Sequence, residues 1–512
     1  MLAGPASGTL NLDLHNTNWQ MNGNSSLSNL TLDNASVAFG SNGFHTLSIA
    51  GDLTGSGTFR MNTDLSTVQG DLIDVAGNAE GSHTLVVGDS GREAQGDQLM
   101  LVATNGGAGQ FALYGDHVDA GAFRYTLQQQ GDDWYLVGAS GGPTDPTDPT
   151  DPTDPGNPGE PGNPGEPGNP GEPGNPGEPG NPGEPGNPGE PGTPGEPGNP
   201  QPPIGQPDSL SKGSNAALGM QTAAANLWYA ELGTLTQRLG ELRLGKDQGG
   251  VWIRGIGSHL HVDSGYSRAF KQNLSGVQIG ADRALALDSA TLYLGGFVGA
   301  SESDLSFGER STGEIDSRTV GAYATYMRDD GWYVDNVLKY DRMHGKVKVP
   351  TNLGAPVKGR YDANAVGASV EVGKQIPLQG GWFVEPQAQL SATHLQGPSY
   401  RSSDGLDVDA SDTDSLQARL GVRAGKTVQL DSGMRLQGYL KTSYIDELAG
   451  DTSTTVNGHK LDNDLPGSRM EVGFGGALQV SERQKIHLEA NYANGSEIEQ
   501  PWSVNLGYRY LW

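Results

Sequence analysis

Several groups of residues in this 512-residue chain have types and spacings that chemistry could use. Gly88-Asp89-Ser90-Gly91 resembles a loop that carries a serine nucleophile, and His83 lies near it in sequence. A working nucleophile also needs an oriented base and an oxyanion hole. The same glycine, aspartate and serine are ordinary turn residues, and a turn is the expectation here. His259 and His261 take alternate positions of one expected strand and face the same side. Two imidazoles so placed could hold a metal, but the expectation is that they line a pore or a loop. A longer series, Arg254, Asp282, Asp335, Lys339, Glu371, Glu385, Arg419, Lys441 and Arg509, falls on alternating segments whose other face is apolar. Charges spaced in this way solvate a lumen and bind whatever fills it.

These residues need elements to hold them, and composition narrows the choice. The formal charge of −28 disfavours nucleic acid, whose phosphates would be repelled. No apolar run reaches the roughly 18 residues of a transmembrane helix, which leaves open a barrel whose strands are short and half apolar. Cysteine is absent, so disulfides and thiolate metal sites are excluded, and no cofactor is expected. The start, Met1-Leu2-Ala3-Gly4-Pro5, lacks the regions of a signal peptide, so an exported chain would be expected to begin upstream.

The chain divides by composition. Residues 1–140 read as short strands between Gly, Asn, Asp and Ser turns, as in Leu10-Asn11-Leu12-Asp13-Leu14. Strands recurring about every 20 residues fit coils of a parallel β-helix, with a sandwich as the competing all-β reading. Phe123-Arg124-Tyr125-Thr126-Leu127 and Trp134-Tyr135-Leu136-Val137 read as a closing hairpin over the last coil. Residues 141–211 form a low-complexity linker of Pro-Thr-Asp and then Gly-Asn-Pro-Gly-Glu-Pro repeats. As polyproline II, about 60 such residues would reach at most roughly 190 Å. The glycine spacing also suits a collagen triple helix, but an extended spacer is the preferred reading. Residues 212–244 suit an α-helix, with Ser214 as its cap and Leu227, Leu232, Leu235, Leu239 and Leu242 along it. Gln221, Glu231, Gln237, Arg238 and Glu241 make it too polar for lipid and fit for a pore.

From residue 245 to Trp512 the period is two. Trp382, Val384, Pro386, Ala388 and Leu390 share one face, and Phe383, Glu385, Gln387 and Gln389 the other. The last segment sets Trp502, Val504, Leu506, Tyr508, Tyr510 and Trp512 against Ser503, Asn505 and Arg509. Aromatics near segment ends on the apolar face read as membrane girdles, and about 12 segments spaced near 22 residues fit a closed barrel.

Leu53-Thr54-Gly55-Ser56-Gly57-Thr58-Phe59-Arg60-Met61-Asn62-Thr63-Asp64 resembles the C-terminal passenger signature of pertactin-like autotransporters. So do Gly81-Ser82-His83-Thr84-Leu85 and Val118-Asp119-Ala120-Gly121. Leu227-Trp228-Tyr229-Ala230-Glu231, Arg238-Leu239-Gly240-Glu241-Leu242-Arg243, Glu385-Pro386-Gln387 and the terminal Gly507-Tyr508-Arg509-Tyr510-Leu511-Trp512 are similar to that family's barrel and its entering helix. The resemblance to type Va, monomeric autotransporters covers both folded segments; the linker departs from it. It implies the end of a right-handed parallel β-helix, then a 12-stranded antiparallel outer-membrane barrel with an α-helix in its lumen. It implies a monomer in outer-membrane lipid, with its passenger at the cell surface. Periplasmic chaperones and the outer-membrane assembly machinery would be its partners, the latter reading Tyr508, Tyr510 and Trp512.

Some members of the family are cut after export near the position of Asn215-Ala216. An asparagine amide can attack its own backbone carbonyl, and Asp335, Glu371 or Glu385 could polarise the groups involved. The Asn-Asn pair of relatives cut by that route is replaced here by Gly233-Thr234. The expected function is self-export of an adhesin or host-interaction factor whose ligand the sequence leaves unnamed. A channel, a collagen-like surface fibre and a hydrolase encoded upstream are the competing readings.

Overall fold

The computed structural model of the chain describes residues 1–138, 207–237, 248–431 and 433–512. The low-complexity repeats lie outside the described residues, as do Arg238, Leu239, Glu241 and Leu242 at the end of the expected helix.

In the first segment, successive strands go alternately to two sheets of mainly parallel strands. Asn18–Met21, Asn29–Phe39, Leu53–Asp64, Ser82–Asp89 and Gln110–Leu113 build one. Ser25–Leu27, Thr46–Ile49, Leu72–Val75 and Gln98–Thr104 build the other. Register aligns buried apolar columns: Val37, Phe59, Leu85 and Leu113 in the first sheet, Leu27, Ile49 and Val75 in the second. The stack therefore holds its core between the sheets, with each layer covering the last. Val118–Ala120, Phe123–Gln130 and Asp133–Gly138 then turn antiparallel, and the last of these pairs with Gln98–Thr104 and covers its open edge.

The closed barrel has 12 antiparallel strands. They are β1 (Gly249–Val262), β2 (Phe270–Leu287), β3 (Ala290–Ser306), β4 (Thr312–Arg328), β5 (Trp332–Pro350), β6 (Pro356–Lys374), β7 (Trp382–Leu395), β8 (Thr413–Gln429), β9 (Arg435–Ala449), β10 (Arg469–Ser481), β11 (Gln484–Gly495) and β12 (Ile498–Leu511). Each pairs with its neighbours in sequence, and β12 closes on β1 through Gly250 opposite Leu511. No edge is left to lipid, which could not satisfy it. Short turns join the strands at one end; at the β4–β5 turn Gly331 takes φ +95°, where a side chain would be strained. β5 and β6 reach 19 residues each, beyond the roughly 9–11 that cross a bilayer. At that longer end Ser399–Arg401, Asp407–Ala410, Thr452–Val456 and His459–Asn463 form a four-stranded ledge.

Burial alternates along most of the barrel strands. Ile279, Val298, Leu338, Leu390, Leu440 and Phe474 are exposed, and every residue beside them points into the interior. Through that interior runs α1, Lys212–Gln237, and nearly every side chain from Lys212 to Leu232 is buried. Alanines 216, 217, 223, 224 and 225 let it approach the wall closely, and Gly367 leaves room for the Trp228 ring. No described helix is long and apolar enough to cross a membrane.

Candidate functional site

The helix is held by the wall through its backbone and its few polar side chains. Ser211, and not Ser214, caps it: the Ser211 hydroxyl accepts from the Ser214 backbone N–H at 3.2 Å. Ser214 instead donates to the Ala122 carbonyl at 2.8 Å, across to the capping strands of the first segment. One turn and more below, Gln221 donates to the Ser411 carbonyl at 2.9 Å and to Thr452 at 2.7 Å, and accepts from Thr454 at 3.0 Å. Gln272 donates to the Ala223 carbonyl at 2.9 Å, and Asn226 to the Gln272 side chain at 3.1 Å.

The deepest described contact is a buried charge cluster. Lys339 on β5 donates to Glu231 at 2.6 Å and to the Trp228 carbonyl at 3.0 Å, and its ammonium lies 4.7 Å from the Trp228 ring centre. Asp341 stands 3.0 Å from the same ammonium, and Thr319 donates to Glu231 at 3.0 Å. Lys339 and Glu231 have side-chain exposures of 0%. Lys339 was among the charges expected inside; Glu231 was legible only as a polar residue of the helix, and Thr319 and Asp341 carried no signal. A carboxylate in an Ala/Leu-rich helix was the clue, because burial requires it to have a partner.

The other expected interior charges are buried or half-buried, and each has a partner. Arg509 donates to Asp282 at 2.6 and 2.8 Å, and Tyr323 donates to the same carboxylate at 2.8 Å. The Arg254 guanidinium lies 4.8 Å from the Trp252 ring centre. Arg419 and Lys441 meet Glu471 at 2.9 and 3.2 Å, and Lys441 also meets Glu489 at 2.5 Å. Arg423 approaches Glu385 at 3.9 Å, and Glu385 accepts from Gln387 at 2.8 Å. Tyr333 donates to Glu371 at 2.7 Å, and Thr325 donates to Asp335.

This arrangement separates the expected cleavage residues. Asn215 is buried in the first turns of α1, and its side-chain oxygen accepts from the Arg268 backbone N–H at 2.7 Å. Ala216 is buried beside it. Glu231, which meets Lys339, lies about 24 Å farther along the helix at 1.5 Å per residue. Asp335 and Glu371 pair opposite each other on β5 and β6 beyond Lys339, away from Asn215.

Two other groups singled out in the sequence take definite places. His83 is packed between the rings of Phe59 and Phe111, with centroids 5.7 and 5.0 Å away, and its Nε2 meets the Glu80 carbonyl at 3.1 Å. Burial pushes this imidazole below its ordinary pKa. Ser90 donates to Asp64 at 2.8 Å, and Asp89 accepts from Thr63 at 2.8 Å and from the Gly91 N–H, so the loop is a hydrogen-bonded turn whose serine meets Asp64 and not His83. His259 and His261 do share a face, with their Nε2 atoms 2.8 Å apart, but that face is the barrel's outside. They line no pore: the residues alternating with them, Ser258, Leu260 and Val262, are the buried ones.

At the outer mouth, the first segment sits on the barrel. Arg124 donates to both oxygens of Glu309, in the β3–β4 loop, at 2.5 and 2.6 Å. His117 and Arg268 lie 3.4 and 3.6 Å from Glu309, and Lys212 pairs with Asp119. Burial opposes the Glu309 charge, yet the hydrogen bonds from His117 and Arg124 and the two guanidinium charges outweigh it and hold its carboxyl well below the usual range. Burial and the neighbouring Arg124 bring Arg268 down to about 10, so it stays charged at neutral pH. On the ledge, Glu93 accepts from Asn457 at 2.9 Å and meets His459 at 3.1 Å. Phe123, Leu210, Leu406, Val408 and Val456 share a buried cluster there. Gly138 pairs with Tyr125, and Leu210 bridges Phe123, so both flanks of the linker are fastened to one strand. The described residues on either side of the linker, Gly138 and Leu210, therefore meet at the same strand.

A closed barrel with an apolar outer face, a polar interior and its own helix inside is an outer-membrane β-barrel of the kind that carries a linked domain. Residues 251–492 match the autotransporter β-domain family, residues 23–138 the pertactin family and residues 145–207 the collagen triple helix repeat family. The pertactin autotransporter of Bordetella parapertussis is 38% identical, over 98% of this chain and 54% of its own length. The autotransporter adhesin/invasin TibA of Escherichia coli O78:H11 is 36% identical, over 96% of this chain and 49% of its own length. The solved β domain of the Bordetella autotransporter BrkA is 29% identical with a TM-score of 0.45, over 52% of this chain and 99% of that one. This chain belongs to the pertactin-like autotransporters, with its barrel in the outer membrane. It spans about half the length of the curated relatives it matches.

Proposed function

We propose that this chain exports its own N-terminal passenger through the outer membrane and displays it as an adhesin or host-interaction factor. One observation carries the reading: a single polypeptide runs from the folded first segment at the outer mouth down through the lumen as α1, hydrogen-bonded to the wall along its length. That is the path a chain leaves when its passenger has crossed first. The stacked parallel sheets support a right-handed β-helix, whose folding outside would keep the chain from sliding back. The name of the relative TibA supports adhesion. Periplasmic chaperones and the barrel assembly machinery are the proposed partners, the machinery reading Tyr508, Tyr510 and Trp512, which line the exposed face of the closing strand. The paired interior charges serve to solvate the lumen and seat the helix.

The junction is proposed to stay intact, since helix geometry keeps Asn215 from the carboxylates that could activate it. A trimeric, collagen-like stalk is the second reading, favoured by the match over 145–207. A triple helix would carry its two flanks apart, whereas the flanking Gly138 and Leu210 are fastened to one strand, so the monomer is preferred. Deleting Tyr510-Leu511-Trp512 should abolish both barrel assembly and surface labelling of the passenger. Normal surface levels of the truncated chain would contradict the export reading.

A further inference from the structure

Above the apolar band, the outward faces of β4, β5 and β6 carry cations in register. Val320, Tyr340 and Val366 lie side by side, and the next outward row is Arg318, Arg342 and Asn364. Beyond it come Asp316, His344 and Asp362, then Glu314, Lys346 and Arg360, then Thr312, Lys348 and Lys358. This is the passenger's end of the barrel, because β5 leads to Asn352, which accepts from the Asp119 backbone N–H at 3.1 Å.

The charges in these rows are not all spent on each other. Lys346 is held by Glu314 and Asp316, and His344 meets Asp362 at 3.1 Å. Arg318, Arg342, Lys348, Lys358 and Arg360 have no ion-pair partner among the described residues. Interior Lys339, Arg419, Lys441 and Arg509, by contrast, each meet a carboxylate. An open groove of about 840 Å³ lies on this same face; Arg318, Arg342 and His344 line it together with Glu302, Asp316 and Asp362, of which Asp316 is held by Lys346 and Asp362 by His344. With a formal charge of −28, the chain as a whole repels anions, so a local cluster of free cations marks a place where one is drawn in. Guanidinium forks side by side match the oxygens of a phosphate.

We propose that this face docks a phosphorylated lipid headgroup of the outer leaflet. Arg318 and Arg342 grip the phosphate at the rim of the apolar band, and Lys348, Lys358 and Arg360 meet charge farther from the membrane. Val277 and Ala300 share the outward row of the arginines and give the groove an apolar flank, and Glu302, beside Asp316, bounds it on an acidic side that turns the anion toward the arginine pair. The proposal rests on the outer-membrane orientation of the barrel and not on what the passenger binds.

The full chain in detergent can be titrated with diphosphoryl lipid A, its monophosphoryl form and inorganic phosphate, with bound species read by native mass spectrometry. The wild-type chain should retain the diphosphoryl lipid, hold the monophosphoryl form less well, and not release either to equimolar phosphate. R318Q/R342Q should weaken binding by about tenfold or more. R283Q, on the same outer surface near the opposite rim, should leave it unchanged. If the arginine pair proves needed for assembly, K358Q/R360Q tests the same surface and should lose several-fold. Equal binding by these variants and the wild type, an equal loss in R283Q, or full displacement by phosphate would overturn the proposal.

Discussion

At the scale of single residues, facing decides what each position tolerates. Leu390 is 49% exposed on the outer surface, while its neighbour Gln389 points inward and donates to Ser369 at 2.9 Å. Leu390→Arg should therefore cost about 2–4 kcal/mol near the midplane, and Gln389→Arg should assemble normally, as judged by heat-modifiable gel migration. Equal behaviour of the two would mean that the facing is reversed. Lys339 poses the opposite problem, a cation between two buried carboxylates. Lys339→Met leaves Glu231 and Asp341 facing each other without compensation and should destabilise the seated helix by about 3–5 kcal/mol. A heat-modifiability transition at the wild-type temperature would contradict that. The facing of Leu390 was legible in the sequence because period two leaves only two choices. The partner of Lys339 was not, because alternation tells that a charge points inward but not which helical residue it meets.

Among the elements, α1 and the capping strands form one junction with the mouth of the barrel. Alanine and leucine content made α1 legible as a helix, yet its cap was misread. Ser211 and Ser214 are equally good candidates by type, and only the carbonyl of Ala122, brought in by the tertiary fold, assigns the second one elsewhere. The docking itself left no trace in the sequence, since Arg124 and Glu309 lie 185 residues apart. Its pH dependence follows from Glu309, whose carboxyl is held below its ordinary value of 4.5 when docked. Docking should be at full strength above that value and fade only as pH falls through the lowered one. Fluorescence energy transfer between dyes on the passenger and on the periplasmic rim should stay constant from pH 7 to pH 5, and Glu309→Gln should reduce the docked fraction at pH 7. A docked fraction that falls between pH 7 and pH 5, or no change in the variant, would remove Glu309 from the account.

At the scale of the whole molecule, the 12-stranded barrel was the most legible feature, because alternation, aromatic ends and even spacing all follow from crossing a bilayer with strands. The linker was the least legible, since composition sets how far a chain can reach and not where its ends are tied. The chain's own helix fills the pore. A helix some 10–12 Å wide would occlude most of a barrel this size, whose bare interior would hold water and conduct ions. Planar-bilayer recording tests this directly, by comparing the chain that starts at Ser211 with one lacking residues 1–240. Both should insert as folded barrels, and the one without the helix should show the larger single-channel conductance. Equal conductance would place the helix outside the pore and contradict the account.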